Sequence, residues 1–176
     1  LLVSGCLAQR YPDELMEEIP EIDAIVGTGS YQNITDVVDD LTKRDGIRLI
    51  EDINFSFNED LPRYVSTPDH LAYLKIGEGC DNHCTYCIIP KLRGKYRSRD
   101  IESLLEEAKK LKEAGVKELV VIAQDTSVYG RDLYGKPNLA GLLEGLAQID
   151  FDWIRFMYSY PEGISQDIVD VVAKYG

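Results

Sequence analysis

Apolar and polar positions along the chain form two stretches where short apolar runs alternate with helix-period patterns, and a third stretch between them has neither. Leu1 to Gly5 is an apolar run closing in Ser-Gly, which predicts a buried strand followed by a turn. Pro12-Asp13-Glu14-Leu15-Met16 opens as helices open, with Pro and acids in the first turn. Ala24 to Gly27 is a second short strand. Asn33 stands where an N-cap would, ahead of Ile34, Val37, Val38 and Leu41 at helical spacing. Ile47 to Ile50 adds a third strand. This alternation predicts the end of an open α/β sheet over residues 1–55. The period is lost after residue 50, where Asn54, Asn58, Pro62, Ser66, Pro68 and Asp69 are turn and loop residues, and 56–70 reads as a linker.

The alternation restarts over 71–176. Leu71 to Ile76 is a strand. Asp100 is placed to cap a helix through Leu104, Leu105, Ala108 and Leu111 that Gly115 ends. Leu119 to Ala123 is apolar throughout, as a parallel strand covered on both faces would be. Leu139 to Leu146 is a helix, Trp153 to Tyr158 a strand, and Ile164 to Ala173 a helix. Three consecutive βα units imply a parallel sheet with right-handed crossovers. Three are too few to close a barrel, so this stretch reads as the first half of one. The predicted class is therefore α/β, an open N-terminal sheet followed by part of a TIM-like barrel.

Composition narrows the function classes. The chain has 176 residues with a net charge of −12. So acidic a chain has no general electrostatic footprint for nucleic acid or an anionic membrane, and no apolar run approaches the ~20 residues of a membrane span. It opens without an initiator Met, which reads as a piece of a longer protein, so the absence of a leader sequence carries little weight. Four cysteines, three of them within eight residues, make a poor disulfide framework and a good metal framework. That usage points to a reducing compartment, and the location expected is cytoplasmic.

The three are Cys80, Cys84 and Cys87, spaced Cys-x3-Cys-x2-Cys in the loop after the first strand of the second stretch. Structural zinc and electron-transfer clusters normally take four protein ligands; three thiolates leave one metal position open for a substrate or cofactor. A zinc-stabilised binding module is the competing reading. It would need a fourth ligand, and His83, lying between two of the cysteines, would strain to reach the same metal. A plain core role for the thiols is disfavoured by the polar Asp81, Asn82, His83 and Thr85 among them.

Cys-x3-Cys-x-aromatic-Cys after the first strand of a parallel barrel resembles the radical S-adenosylmethionine (SAM) enzymes. The resemblance implies that Cys80, Cys84 and Cys87 bind a 4Fe–4S cluster whose open iron chelates SAM, and that Tyr86 packs beside the adenine. It also implies that the end of the second barrel strand, at Gln124 and Asp125, contacts the SAM amino group. Glu78-Gly79-Cys80-Asp81-Asn82, Ile88-Ile89-Pro90 and Arg93-Gly94-Lys95-Tyr96-Arg97-Ser98-Arg99 narrow the match to the methylthiotransferases. These insert sulfur and a methyl group into tRNA adenosine or into a ribosomal protein. Ala123 to Gly130 with Asp132-Leu133-Tyr134-Gly135 resembles the ribosomal-protein branch, which modifies the β-carbon of an aspartate in a small-subunit protein. The tRNA branch is the alternative. Ser4-Gly5-Cys6-Leu7-Ala8-Gln9-Arg10 resembles the last cysteine motif of the family's N-terminal domain, so Cys6 would ligate an auxiliary 4Fe–4S cluster. The family has three cysteines there and only Cys6 is present here, so one complete cluster set is expected, against two clusters in the full-length protein. The implied partners are a small-subunit ribosomal protein as substrate and an electron donor such as flavodoxin or ferredoxin, with no membrane and with nucleic acid reached only through the ribosome.

Several other residues carry two readings. Lys91, Arg93, Lys95, Arg97 and Arg99 put five cations in nine residues. An extended segment would aim all five to one side as an anion contact; otherwise they balance an acidic surface. Gln124 and Asp125 could instead cap the following turn. Arg155, Tyr158, Ser159 and Tyr160 end the third barrel strand, on the face that carries active sites in barrels, or else pack there. His70 reads as surface, and Glu102, Glu106 and Glu107 as a solvated helix face.

Overall fold

The computed structural model describes residues 1–43, 45–54 and 63–176. The turn signals at Asn58 and Pro62 lie outside the described residues. The chain forms two compact units, each discontinuous in sequence: Leu1–Leu61 with Cys80–Lys95, and Pro62–Gly79 with Tyr96–Gly176.

The first unit is built on three parallel strands, β1 (Leu2–Ser4), β2 (Ala24–Val26) and β3 (Ile47–Leu49), in the order β1-β2-β3. Leu2 stands opposite Ala24, and Ala24 opposite Ile47. Because side chains alternate across a strand, the central β2 feeds both faces. Ala24 and Val26 join Val37 and Ile47 in one cluster, while Ile25 joins Ala8 and Ile22 in another. Helices α1 (Cys6–Arg10) and α2 (Pro12–Glu18) connect β1 to β2, and α3 (Ile34–Asp40) connects β2 to β3. The strands and α2 match the sequence pattern. Helix α1 is an addition, starting where a turn is expected.

Asn33 departs from its expected role. A cap residue needs extended backbone to swing its side chain over the first free N–H groups. Asn33 lies in a 3-10 turn at φ −96°, ψ 14° and makes no cap bond; its Nδ2 donates instead to Glu51 Oε2 at 3.0 Å.

The second unit pairs β4 (Leu71–Lys75), β7 (Glu118–Ile122) and β8 (Trp153–Phe156) in parallel, in the order β4-β7-β8. Leu71 stands opposite Glu118, and Glu118 opposite Trp153. A short antiparallel pair, β5 (Gly77–Glu78) with β6 (Arg97–Ser98), follows β4, and the cysteine loop with α4 (Ile89–Arg93) runs between its strands in the chain. Helix α5 (Ile101–Glu113) leads to β7, α6 (Arg131–Tyr134) and α7 (Leu139–Ala147) lead to β8, and α8 (Gln166–Tyr175) follows. The α/β class and the parallel βα succession expected from the pattern are what the chain builds.

Both ends of α5 are stopped by local chemistry. Asp100 is extended, and its Oδ1 accepts the Ser103 N–H at 2.8 Å. At the other end Gly115, at φ 97°, donates its N–H to Lys112 O, while the Val116 N–H reaches Leu111 O. Those paired bonds are the Schellman motif, and its left-handed residue is glycine because a Cβ there is costly. The apolar face of α5 packs Leu104, Ala108 and Leu111 into one core with Leu74, Leu119, Val121, Leu142 and Leu146. Glu107 does not belong to a solvated face: it accepts from Arg99 at 2.6 Å and from Arg63. Buried Tyr129 donates its OH to Arg99 O at 2.7 Å, and burial pushes its phenol above the ordinary tyrosine range.

Candidate functional site

Cys80, Cys84 and Cys87 are all free thiols on the segment that packs with the first unit. Domain limits read from the sequence put that segment with 71–176. Its contacts run the other way, through partners tens of residues distant in the chain. Cys80 is buried, and Cys84 and Cys87 are half-buried. The Cys80 N–H donates to Gly94 O at 3.1 Å, and the Cys87 N–H to Cys84 O at 3.0 Å. Tyr86 is 91% exposed. His83 is exposed as well.

The segment ends in α4. Gly94 stops this helix at φ 73° and returns its N–H to Pro90 O at 3.2 Å. Leu92 is buried, and its carbonyl accepts from the Thr28 hydroxyl; the Thr28 N–H donates to Gln9 Oε1 at 2.9 Å. Arg93 Nε–H donates to Cys6 Sγ at 3.1 Å. Lys95 N–H donates to Asn54 Oδ1 at 3.1 Å. Cys6 itself is half-buried and begins α1.

The basic run is therefore not one extended strand. Lys91 and Arg93 lie in α4, Arg97 lies in β6, and Arg99 is spent on Glu107, Ser103 Oγ at 3.0 Å and Lys75 O at 3.3 Å. The unbroken extended alternation that would aim all five to one side is not formed.

In the second unit the chain leaves β4, β7 and β8 at the same end of the sheet, where parallel α/β folds place their ligands. After β4, Glu78 is buried, paired with Lys75 and accepting the Gly79 N–H at 3.2 Å. After β7, Asp125 takes the turn-capping role: its Oδ1 accepts the Ser127 hydroxyl at 2.5 Å and the Ser127 N–H at 3.1 Å. Gln124 Oε1 is buried without a hydrogen-bond partner among the described residues. Thr126 ties the ends of β7 and β8 together. Its N–H donates to Tyr158 O at 3.0 Å, and its hydroxyl bonds Met157 O at 3.0 Å and Ser159 Oγ at 2.7 Å. Tyr158 sits at φ 63°, a left-handed conformation that costs a non-glycine residue energy. Arg155 pairs with Glu118, Tyr160 is exposed, and His70 is exposed as expected.

The donor chemistry fits an iron–sulfur cluster. Three thiols, none in a disulfide, lie within eight residues of a polar loop. Gln124 supplies a buried acceptor lacking a donor, which suits a ligand N–H. Among the described residues no three His, Cys, Asp or Glu side chains are gathered closely enough to hold one metal ion. Sequence reasoning gave Thr28 no role, and quoted Glu78 and Arg93 in the segments that carry the family resemblance without assigning either a contact. The Arg93 partner lies 87 residues away, a pairing that no local spacing signals.

Residues 74–176 match the family described as the Radical SAM superfamily, whose members use a 4Fe–4S cluster and SAM. The chain is 67% identical over 176 residues to the ribosomal protein uS12 methylthiotransferase RimO of Clostridioides difficile, covering 99% of this chain and 40% of that relative. A relative of the same name from Synechocystis is 48% identical over 173 residues, covering 98% of this chain and 39% of the relative. The chain thus spans about two fifths of the length of the curated relatives it matches. Among solved structures, the radical SAM methyltransferase TsrM from Kitasatospora setae, with cobalamin and a [4Fe–4S] cluster bound, has a TM-score of 0.64 at 16% identity. It covers 99% of this chain and 40% of that one, a likeness of fold.

Proposed function

Because this chain belongs to the radical SAM superfamily, we propose that it is part of a methylthiotransferase acting on ribosomal protein uS12, as its relatives are named. The observation that carries the reading is the set of three free thiols at Cys-x3-Cys-x2-Cys spacing on one polar loop. Cys80, Cys84 and Cys87 would hold a 4Fe–4S cluster with one iron left to SAM. When bound, cluster and SAM supply one-electron chemistry and a methyl group. The chain's own residues receive the cofactor. The unsatisfied Gln124 Oε1 accepts from the SAM amino group, Tyr86 covers the adenine face, and Asp125 rigidifies the turn that aims Gln124. Cys6 contributes one ligand to an auxiliary cluster whose other ligands lie outside this chain. The modified position is an aspartate β-carbon, the reductant a flavodoxin or ferredoxin, and the compartment the cytoplasm.

Two measurements test this. Anaerobic iron–sulfide reconstitution should load about one cluster per chain, and Cys80→Ala, Cys84→Ala or Cys87→Ala should each abolish it, whereas Cys6→Ala should not. A full cluster in any of the first three variants would remove the assignment. Mass spectrometry of uS12 and tRNA from a strain lacking the intact protein reads the substrate. Loss of the methylthio group from uS12 alone is expected, and loss from tRNA alone would overturn the choice of substrate.

A further inference from the structure

Among the described residues two that are not glycine hold a positive φ, Asp150 at 62° and Tyr158 at 63°. Aspartate visits the left-handed region readily, whereas for a bulky tyrosine it is costly. Tyr158 lies two residues past β8, at the end of the sheet where Gln124 lies two residues past β7. Its backbone is held from outside. Thr126 bonds the Met157 and Tyr158 carbonyls and the Ser159 hydroxyl. A Cβ on Gly163 would overlap Ser127 Oγ and Cβ, so the turn beyond Tyr158 is packed closely against the same loop. This restraint does not bury the ring, since Tyr158 is 63% exposed. Packing therefore does not account for the strain. Strain that surrounding contacts enforce and packing does not use marks ligand clamps and active sites.

We infer that Tyr158 is a specificity-determining residue that lays its ring against the polypeptide substrate, and that Thr126 is the positioning residue that holds it there. This rests on the proposal that the substrate is a ribosomal protein. The chemistry of the strand end favours polypeptide over nucleic acid. Residues 157–164 include Met157, Tyr158, Tyr160 and Ile164, all exposed, with no Lys or Arg and one acid, Glu162. Contact with a phosphate backbone is made chiefly by Lys and Arg, and a net charge of −12 opposes it further. Tyrosine and methionine are instead enriched where proteins meet proteins. A tyrosine ring offers a large contact area at little cost in side-chain freedom, and its hydroxyl can bond a peptide group. With its backbone already fixed by Thr126, Tyr158 has less freedom to lose when a substrate arrives.

The test uses the full-length protein with purified uS12 and tRNA, read by thermal melts and surface plasmon resonance. Asparagine tolerates the left-handed region and has no ring, so Tyr158→Asn separates binding from stability. It should melt no lower than wild type, because little burial is lost and strain is relieved. Its Kd for uS12 should rise at least about tenfold, as for an aromatic hot spot. Tyr158→Phe keeps the ring and should bind nearly as wild type does. Thr126→Val, which removes the hydroxyl but keeps the shape, should weaken uS12 binding, and Thr126→Ser should restore it. Wild-type affinity in Tyr158→Asn overturns the inference. So does a lower melting temperature in that variant, which would show a packing role, or weakened tRNA binding with uS12 binding unchanged. Wild-type affinity in Thr126→Val removes the role given to Thr126. Failure of the underlying proposal is separately visible, since the wild-type protein would then bind no uS12, and Tyr158 would lose its stated ligand with it.

Discussion

The parallel strands of the first unit pair over three residues each and divide their apolar side chains between two small clusters. Strands β4 and β7 of the second pair over five, and their side chains enter one continuous core with α5 and α7. Directed polar contacts run through both units: Gln9 with Thr28 and Thr28 with Leu92 in the first, Asp125 with Ser127 and Ser98 with Asp132 in the second. Such bonds contribute only about 1 kcal/mol each, but they are directional. Apolar burial is non-directional and supplies most of the stability of a fold. The cysteine segment belongs to the unit with two small apolar clusters, and the strand ends that would meet SAM belong to the unit with one continuous core.

Leu119→Ala should have the largest effect on this contrast. Leu119 is fully buried on the central strand β7, and its loss should cost about 3 kcal/mol in urea unfolding. Ile25→Ala should cost about 2 kcal/mol, because a small cluster collapses more easily around the cavity. Its signature in hydrogen exchange should be faster exchange in β1–β3 with β4 and β7 unchanged. Faster exchange in β7 as well would show that the two units share one cooperative transition and would break the comparison. Thr28→Val leaves the buried Leu92 carbonyl without that donor; it should cost about 1–2 kcal/mol and raise exchange in α4 before anywhere else. The smallest effects separate two helix starts. Asp100→Ala should cost about 1 kcal/mol, while Asn33→Ala, which removes no cap, should stay within about 0.5 kcal/mol. Equal losses at both positions in matched thermal melts would erase the distinction.

The second unit was the more legible in sequence, for the same reason that it is the better buried. Runs such as Leu119 to Ala123, and an Asp100 start matched by a Gly115 stop, report local causes that need no distant partner. The cysteine spacing is equally local. Helices α1 and α4, at five residues each, are too short for a 3.6-residue period to show, and short helices owe their stability to packing. The attachment of 80–95 to the first unit depends on pairs such as Thr28 with Leu92, 64 residues apart. Asp125 had two readings, and only the position of Ser127 shows it capping a turn; whether Gln124 meets SAM is the proposal made above. The left-handed backbone of Tyr158 has no local signal, because the hydrogen bonds that flank it come from Thr126, 32 residues earlier.

The chain passes from one unit to the other three times, after residues 61, 79 and 95. On the ribosome this sets an order of events. The sheet of β1, β2 and β3 is complete once residue 49 has emerged, but its share of the cysteine segment is still unmade. At elongation rates of about 5–20 residues per second, the remaining 46 residues to Lys95 take some seconds. During that interval Thr28, Gln9 and Cys6 face solvent without α4. Of Cys6, Cys80, Cys84 and Cys87, Cys6 waits longest for the segment that packs on it, so co-translational oxidation should fall on it ahead of the other three.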